Sequence, residues 1–233
     1  MKILHLYHDL MNLYGDYANI SALSRIFDTN GIKHTVDRLS LEDEPDLSKY
    51  DLIYVGSGSE ENQKFALSHL IKYKDALKAY IESGKYALFT GNSFEMLGGR
   101  IESFLGEFEG LGIFDFNVAE QRMTRTTADA ICKMSDIDRP LVGFVNKCST
   151  VVGINSPLFT VEMGLANNKE DKGEGIRKNN FFGTHLTGPV FVKNPHFLQF
   201  FASALVGKEL NSDAFSYEKA GFEITFKKLN ETI

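Results

Sequence analysis

The apolar positions change their period along the chain, and the first half alternates between two readings. Lys2–Tyr7 is a short β-prone run. From Asp16 to Asp28, Ile20, Leu23, Ile26 and Phe27 recur at helical spacing, and Asn30-Gly31 closes that helix as a C-cap pair. Lys33–Asp37 reads as a short strand. Asp51–Val55, DLIYV, reads as a buried strand and is followed by Gly56-Ser57-Gly58. Leu67, Leu70, Ile71, Leu77 and Ile81 predict one long amphipathic helix over Glu61–Ser83, stopped by Gly84. Tyr86–Phe89 is the next strand. Strands spaced by helices imply right-handed crossovers, so the predicted class is α/β, a mainly parallel sheet with helices on both faces. Ligands of such sheets bind at the carboxyl ends of the strands. The Gly56-Ser57-Gly58 loop and the Thr90–Ser93 turn both lie at that edge.

The second half is richer in strands and glycine. Ala128–Met134, Leu141–Val145, Val151–Ile154, Leu158–Met163 and Phe181–Leu186 read as strands, and Pro195–Leu205 as a closing helix. Asn167–Arg177, NNKEDKGEGIR, is a polar, Gly-rich loop. Residues 1–206 read as one domain. Residues 207–233 are more polar and read as a C-terminal extension, in which FEITFKKL fits a strand or a helix.

Composition removes several functions. Lys plus Arg number 25 against 31 Asp plus Glu, a net charge of −6, which argues against a broad nucleic-acid surface. No apolar run approaches the ~20 residues of a membrane span. The start, MKILHLYHDL, is too short and too polar for a signal peptide. Cys132 and Cys148 do not make a disulfide framework, which fits a reducing cytoplasm. No Cys/His cluster has zinc-site spacing, and no metal or other cofactor is expected.

The candidate chemistry sits in LFTGNSFEMLG at 88–98. An apolar strand runs into a tight turn and then a helix start, the form of an elbow that lifts a nucleophile above a sheet. Several further stretches join it: YHDLMNLYGD at 7–16, GLGIFD at 110–115, GFVNK at 143–147, GLANNKED at 164–171, GTHLTGP at 183–189 and KNP at 193–195. In this order they resemble the CobB/CobQ type of glutamine amidotransferase domain. Within it they are most similar to the glutaminase subunits of lipid II isoglutaminyl synthases, over about residues 1–206. The resemblance implies the class I glutamine amidotransferase-like (flavodoxin-like) fold. It implies a Cys on the elbow that attacks the glutamine amide, a His that takes its proton, and backbone N–H groups that hold the oxyanion. It also implies a Mur-ligase-like partner subunit, and glutamine or another small amide or carboxylate as ligand.

Set against that pattern, the chain departs at both reacting positions. The family elbow Ile-Cys-Gly-Gly-Tyr-Gln-Leu-Leu-Gly is matched by Thr90-Gly91-Asn92-Ser93-Phe94-Glu95-Met96-Leu97-Gly98, so Gly91 falls on the nucleophile. The family His falls on Thr187. Glycine has nothing to attack with, and Thr is no general base near neutral pH. The first expectation is therefore a partner or ligand-binding subunit without Cys–His glutaminase activity. The second is a hydrolase that uses Thr90 or Ser93 as nucleophile and His185 as base; the third is a glutaminase completed by a partner chain. Against the second, Thr90 and Ser93 simply cap the helix and His185 packs. Arg125 matches a carboxylate-binding Arg of the family, or makes a surface ion pair. Gly58, Asn92 and Ser93 offer backbone donors at the turn, or only turn chemistry. Asp16 is a candidate helix cap. Asn12 and Tyr14 face the pocket or a partner, the 167–171 loop is solvated or meets a partner, and Cys148 packs or is half exposed.

Overall fold

The computed structural model describes residues 1–104, 106–121 and 124–231. Its centre is a six-stranded sheet built from β1 (Lys2–Leu6), β2 (Thr35–Leu39), β3 (Leu52–Val55), β4 (Tyr86–Thr90), β13 (Ile176–Lys178) and β14 (Phe181–Thr184), in the order β13-β14-β4-β3-β1-β2. All pairings are parallel except β13 with β14. The alternation along β3 shows why helices cover both faces. Leu52 and Tyr54 join the core under α1 (Tyr17–Thr29) and α5 (Pro195–Val206). Ile53 and Val55 join the core under α2 (Glu60–Leu70) and α3 (Lys74–Glu82). A strand buried on both faces reads as a continuous apolar run, as DLIYV does.

Two further sheets stand beyond the carboxyl edge. One has the order β10-β7-β5-β6, from β5 (Arg100–Ser103), β6 (Gly106–Glu109), β7 (Asn117–Glu120) and β10 (Ser149–Val152). The other has the order β12-β11-β8-β9-β15, from β8 (Thr126–Met134), β9 (Ile137–Lys147), β11 (Phe159–Met163), β12 (Gly173–Glu174) and β15 (Leu186–Thr187). The short α4 (Val190–Lys193) leads from β15 into α5.

The structure corrects the sequence reading at two places and decides a third that the pattern left open. The long helix predicted over Glu61–Ser83 is two helices joined by a 3-10 turn at Ile71–Tyr73. The tighter turn shifts the phase, so Ile71 leaves the buried stripe and is 41% exposed, while Leu77, Tyr80 and Ile81 face inward. The strand predicted over Phe181–Leu186 breaks at His185, where the chain passes from the parallel sheet to the antiparallel one. FEITFKKL lies inside α6 (Ser216–Asn230). Phe222 and Leu229 of this helix pack against Ile131 of β8 and Val142 of β9, and Arg25 of α1 pairs with Glu218 at 2.6 Å. Among the described residues, no helix is long and apolar enough to cross a membrane.

Two histidines make this packing sensitive to acid. His5 on β1 and His196 on α5 each keep a buried ring nitrogen that has no hydrogen-bond partner among the described residues. Burial pushes both down from the ordinary 6.5 to about 4, with the neighbouring His8 adding to the effect at His5. Because the folded values are depressed, the stability tied to the neutral rings is intact above about pH 6.5 and is lost as pH falls through about 4. Denaturant titrations between those limits should show a loss on the order of a few kcal/mol. The loss should shrink in His5→Phe, which cannot be protonated.

Candidate site at the strand-to-helix elbow

Topology brings the distant motifs together. β3 and β4 run parallel in register from Leu52↔Tyr86 to Val55↔Phe89, and β4 pairs on its other side with β14 up to Thr90↔Thr184. The segments leaving these strands, Gly56-Ser57-Gly58, the 3-10 turn Gly91–Leu97 and His185, therefore share one edge. Gly91 stands at the junction with φ of +63°, in the left-handed region that favours glycine. A Cβ at this position would lie 2.1 Å from the Cβ of Ser57. The middle residue of the Gly56-Ser57-Gly58 loop thus fills the space that a side chain on the elbow would need. The hydroxyl of Ser57 is buried and has no hydrogen-bond partner among the described residues.

The other predicted residues are placed as follows. Thr187 is buried, and its Oγ1 donates to the Phe144 carbonyl at 3.0 Å. Thr90 Oγ1 donates to Asp16 Oδ2 at 2.9 Å, and Ser93 Oγ donates to the Thr90 carbonyl at 2.7 Å. Neither hydroxyl is hydrogen-bonded to His185, and neither makes the side-chain cap that the sequence offers for the turn. Asp16 holds the N-cap position of α1 without capping it; Oδ2 accepts instead from the Ser57 N–H at 2.7 Å. Burial raises the Asp16 carboxyl above the ordinary range. Asn92 Oδ1 accepts from the Gly58 N–H at 3.0 Å, so that donor is already used.

Arg125 Nη1 donates to Asn146 Oδ1 at 3.0 Å, and its Nη2 pairs with Glu60. A carboxylate ligand would have to displace Glu60. Tyr14 lines the same mouth and accepts from Asn146 Nδ2 at 2.9 Å, whereas Asn12 accepts from the Tyr17 N–H at 2.8 Å. Burial, reinforced by Glu60, pushes the Cys148 thiol up to about 12, far from a reactive thiolate. Asn167 is not part of a solvated loop: it is fully buried and clasps Gly175 through both side-chain atoms.

His185 lies between two buried carboxylates. Its Nε2 meets Glu95 Oε1 at 2.9 Å, and its Nδ1 lies 3.3 Å from Glu174 Oε1. All three are at most 2% exposed. Glu95 also accepts from Ser149 Oγ and, at 2.9 Å, from Gln63 Nε2. Burial works to raise the Glu95 carboxyl, but hydrogen bonding and charge attraction from His185 outweigh it and hold the carboxyl below its ordinary range. Glu95, Glu174 and Ser57 are absent from the sequence-level site. A signal existed for the first: Glu95 stands where the elbow motif that the chain resembles has Gln. The cavity between Gly91, Ser57, His185 and Thr187 measures about 20 Å³, about one water.

Residues 2–195 match the model of the CobB/CobQ-like glutamine amidotransferase domain, and the chain belongs to that family. Two curated relatives are similar over most of its length, both named as subunit GatD of lipid II isoglutaminyl synthase (glutamine-hydrolyzing). The one from Staphylococcus aureus (strain N315) is 35% identical over 195 residues, 83% of this chain and 79% of that protein. The one from Streptococcus pneumoniae (strain ATCC BAA-255 / R6) is 30% identical over 216 residues, 91% of this chain and 83% of that protein. The fold is similar to a glutamine amidotransferase of Thermotoga maritima, with TM-score 0.55 and 12% identity over 96% of this chain and 92% of that one. A second glutamine amidotransferase structure gives TM-score 0.55 and 14% identity, over 88% of this chain and 98% of that one.

The contact at the elbow has a measurable consequence. Gly91→Ala combines left-handed strain with overpacking and should cost about 2–4 kcal/mol in denaturant unfolding. In a Ser57→Gly background the Cβ contact is gone and a 3.1 Å approach to the Cα of residue 57 remains beside the backbone strain, so the same substitution should cost less, about 1–2 kcal/mol. Additive costs in this double-mutant cycle would show that Ser57 does not obstruct position 91.

Proposed function

We propose that this chain is a glutamine amidotransferase-fold subunit that does not run the Cys–His glutaminase reaction. In this reading it works beside a Mur-ligase-like subunit in a complex that amidates a lipid II-type cell-wall precursor. The observation that carries the reading is the pairing of Gly91 with Ser57. The position assigned to the nucleophile has no side chain, and a neighbour fills the room for one. Thr187 at the base position adds to this, since its hydroxyl is engaged by the Phe144 carbonyl. The assignment to a cell-wall complex draws on the GatD relatives, which are named as subunits of lipid II isoglutaminyl synthase.

Glutamate release from glutamine, measured for the protein alone and with its Mur-ligase-like subunit, should stay at background. Turnover well above background would overturn the reading, and its loss in Thr90→Val or Ser93→Ala would then identify the nucleophile. The triple change Ser57→Gly, Gly91→Cys and Thr187→His should gain glutaminase turnover. Gly91→Cys with Thr187→His, but with Ser57 kept, should not.

A further inference from the structure

The small elbow cavity has a much larger neighbour. Lys147, Cys148 and Ser149, at the corner from β9 into β10, line both. The second cavity measures about 380 Å³, and its other walls come from Thr126 of β8, Val161 of β11 and the loop around Asn167. That volume falls in the range of small-molecule pockets, which the elbow cavity does not reach.

Lys147 sets the character of this space. Its ammonium donates to the carbonyls of Ala166 at 2.7 Å and Asn167 at 3.1 Å, and both residues line the cavity. Among the described residues it makes no ion pair. An ammonium has three N–H groups, so one remains for a ligand. The two carbonyls are held firmly, because Asn167 is clasped to Gly175 and its backbone bonds to Gly173 and Val151. Lys147 has neutral carbonyls as its hydrogen-bond partners, and attraction from the buried Glu174 and Glu95 offsets only part of the cost of burying the cation, so a bound anion would offset more of it. Its pKa lies below the ordinary lysine value, through burial. The carboxylates at the rim are engaged elsewhere: Glu162 pairs with Lys133, and Asp171 accepts from the Gly173 N–H at 2.8 Å. Lys169 and Lys172 stand exposed at the same rim.

We propose that this cavity is a binding site for a small oxyanion-bearing molecule, a carboxylate or a phosphate, anchored on Lys147. The site is separate from the elbow, and it stands whether or not the elbow proves inactive.

Calorimetric titration and thermal unfolding with L-glutamate, citrate and inorganic phosphate, each against potassium chloride at equal ionic strength, test it. At least one probe should bind saturably and raise Tm by about 2–4 °C, and the probe that does so separates the carboxylate from the phosphate source. Lys147→Met should weaken that binding at least about tenfold while leaving Tm without ligand unchanged or higher, because it removes a costly cation. Lys147→Arg should retain it. Thr126→Phe, which fills the cavity from an exposed position, should abolish binding even if Lys147→Met fails to fold. No saturable binding of any of the three anions, or binding that survives Thr126→Phe, would overturn the proposal.

Discussion

Two loops at the carboxyl edge of the parallel sheet compete for one space, and the site is arranged around the outcome. β3 and β4 are neighbours in register, so the chain leaving Val55 and the chain leaving Thr90 emerge about one strand spacing apart. Only one of them can carry a side chain into the gap. Here Ser57 does so, and position 91 is the glycine that permits both the approach and the left-handed turn. The left-handed turn at position 91 therefore leaves no room for a side chain beside Ser57.

The interior around that contact is unusually charged. Glu95 comes from the 3-10 turn, Ser149 from β10, His185 from the break between β14 and β15, Glu174 from β12 and Gln63 from α2. Gln63 in turn accepts from Lys64 Nζ at 2.5 Å, and Lys64 pairs with Glu120 of β7. The partners thus tie all three sheets to one helix. Buried ion pairs of this kind return little net stability, but removing one partner strands a charge in a dry interior. The arrangement therefore acts as a constraint on how the sheets meet more than as a source of stability. Lys147 stands at the margin of this network with carbonyls as its direct partners among the described residues, which sets it apart from Lys64.

Much of the parallel sheet was legible because its strands are buried on both faces and read as apolar runs. β5, β6, β7 and β10 were not found in full. Each spans four residues, and GEFE of β6 is largely exposed, so neither length nor alternation stands out. The break in the long helix was hidden for a related reason, since three residues of 3-10 turn change the phase without a Gly or Pro to mark it. Among the candidate residues, Gly91, Thr187 and His185 stand out in the sequence because they interrupt recognisable motifs. Ser57 stood in plain view in its loop, but nothing in a linear pattern says that it meets position 91.

By itself the sequence determined the class of fold and the family, and it raised the expectation that Gly91 and Thr187 stand at the two reacting positions, because these are statements about residue types within ordered motifs. Only the tertiary structure decided how little room the elbow leaves, which carboxylates enclose His185, and where a large cavity remains. Those depend on distances between segments tens of residues apart in the chain, set by sheet register and by which side chains share a buried volume.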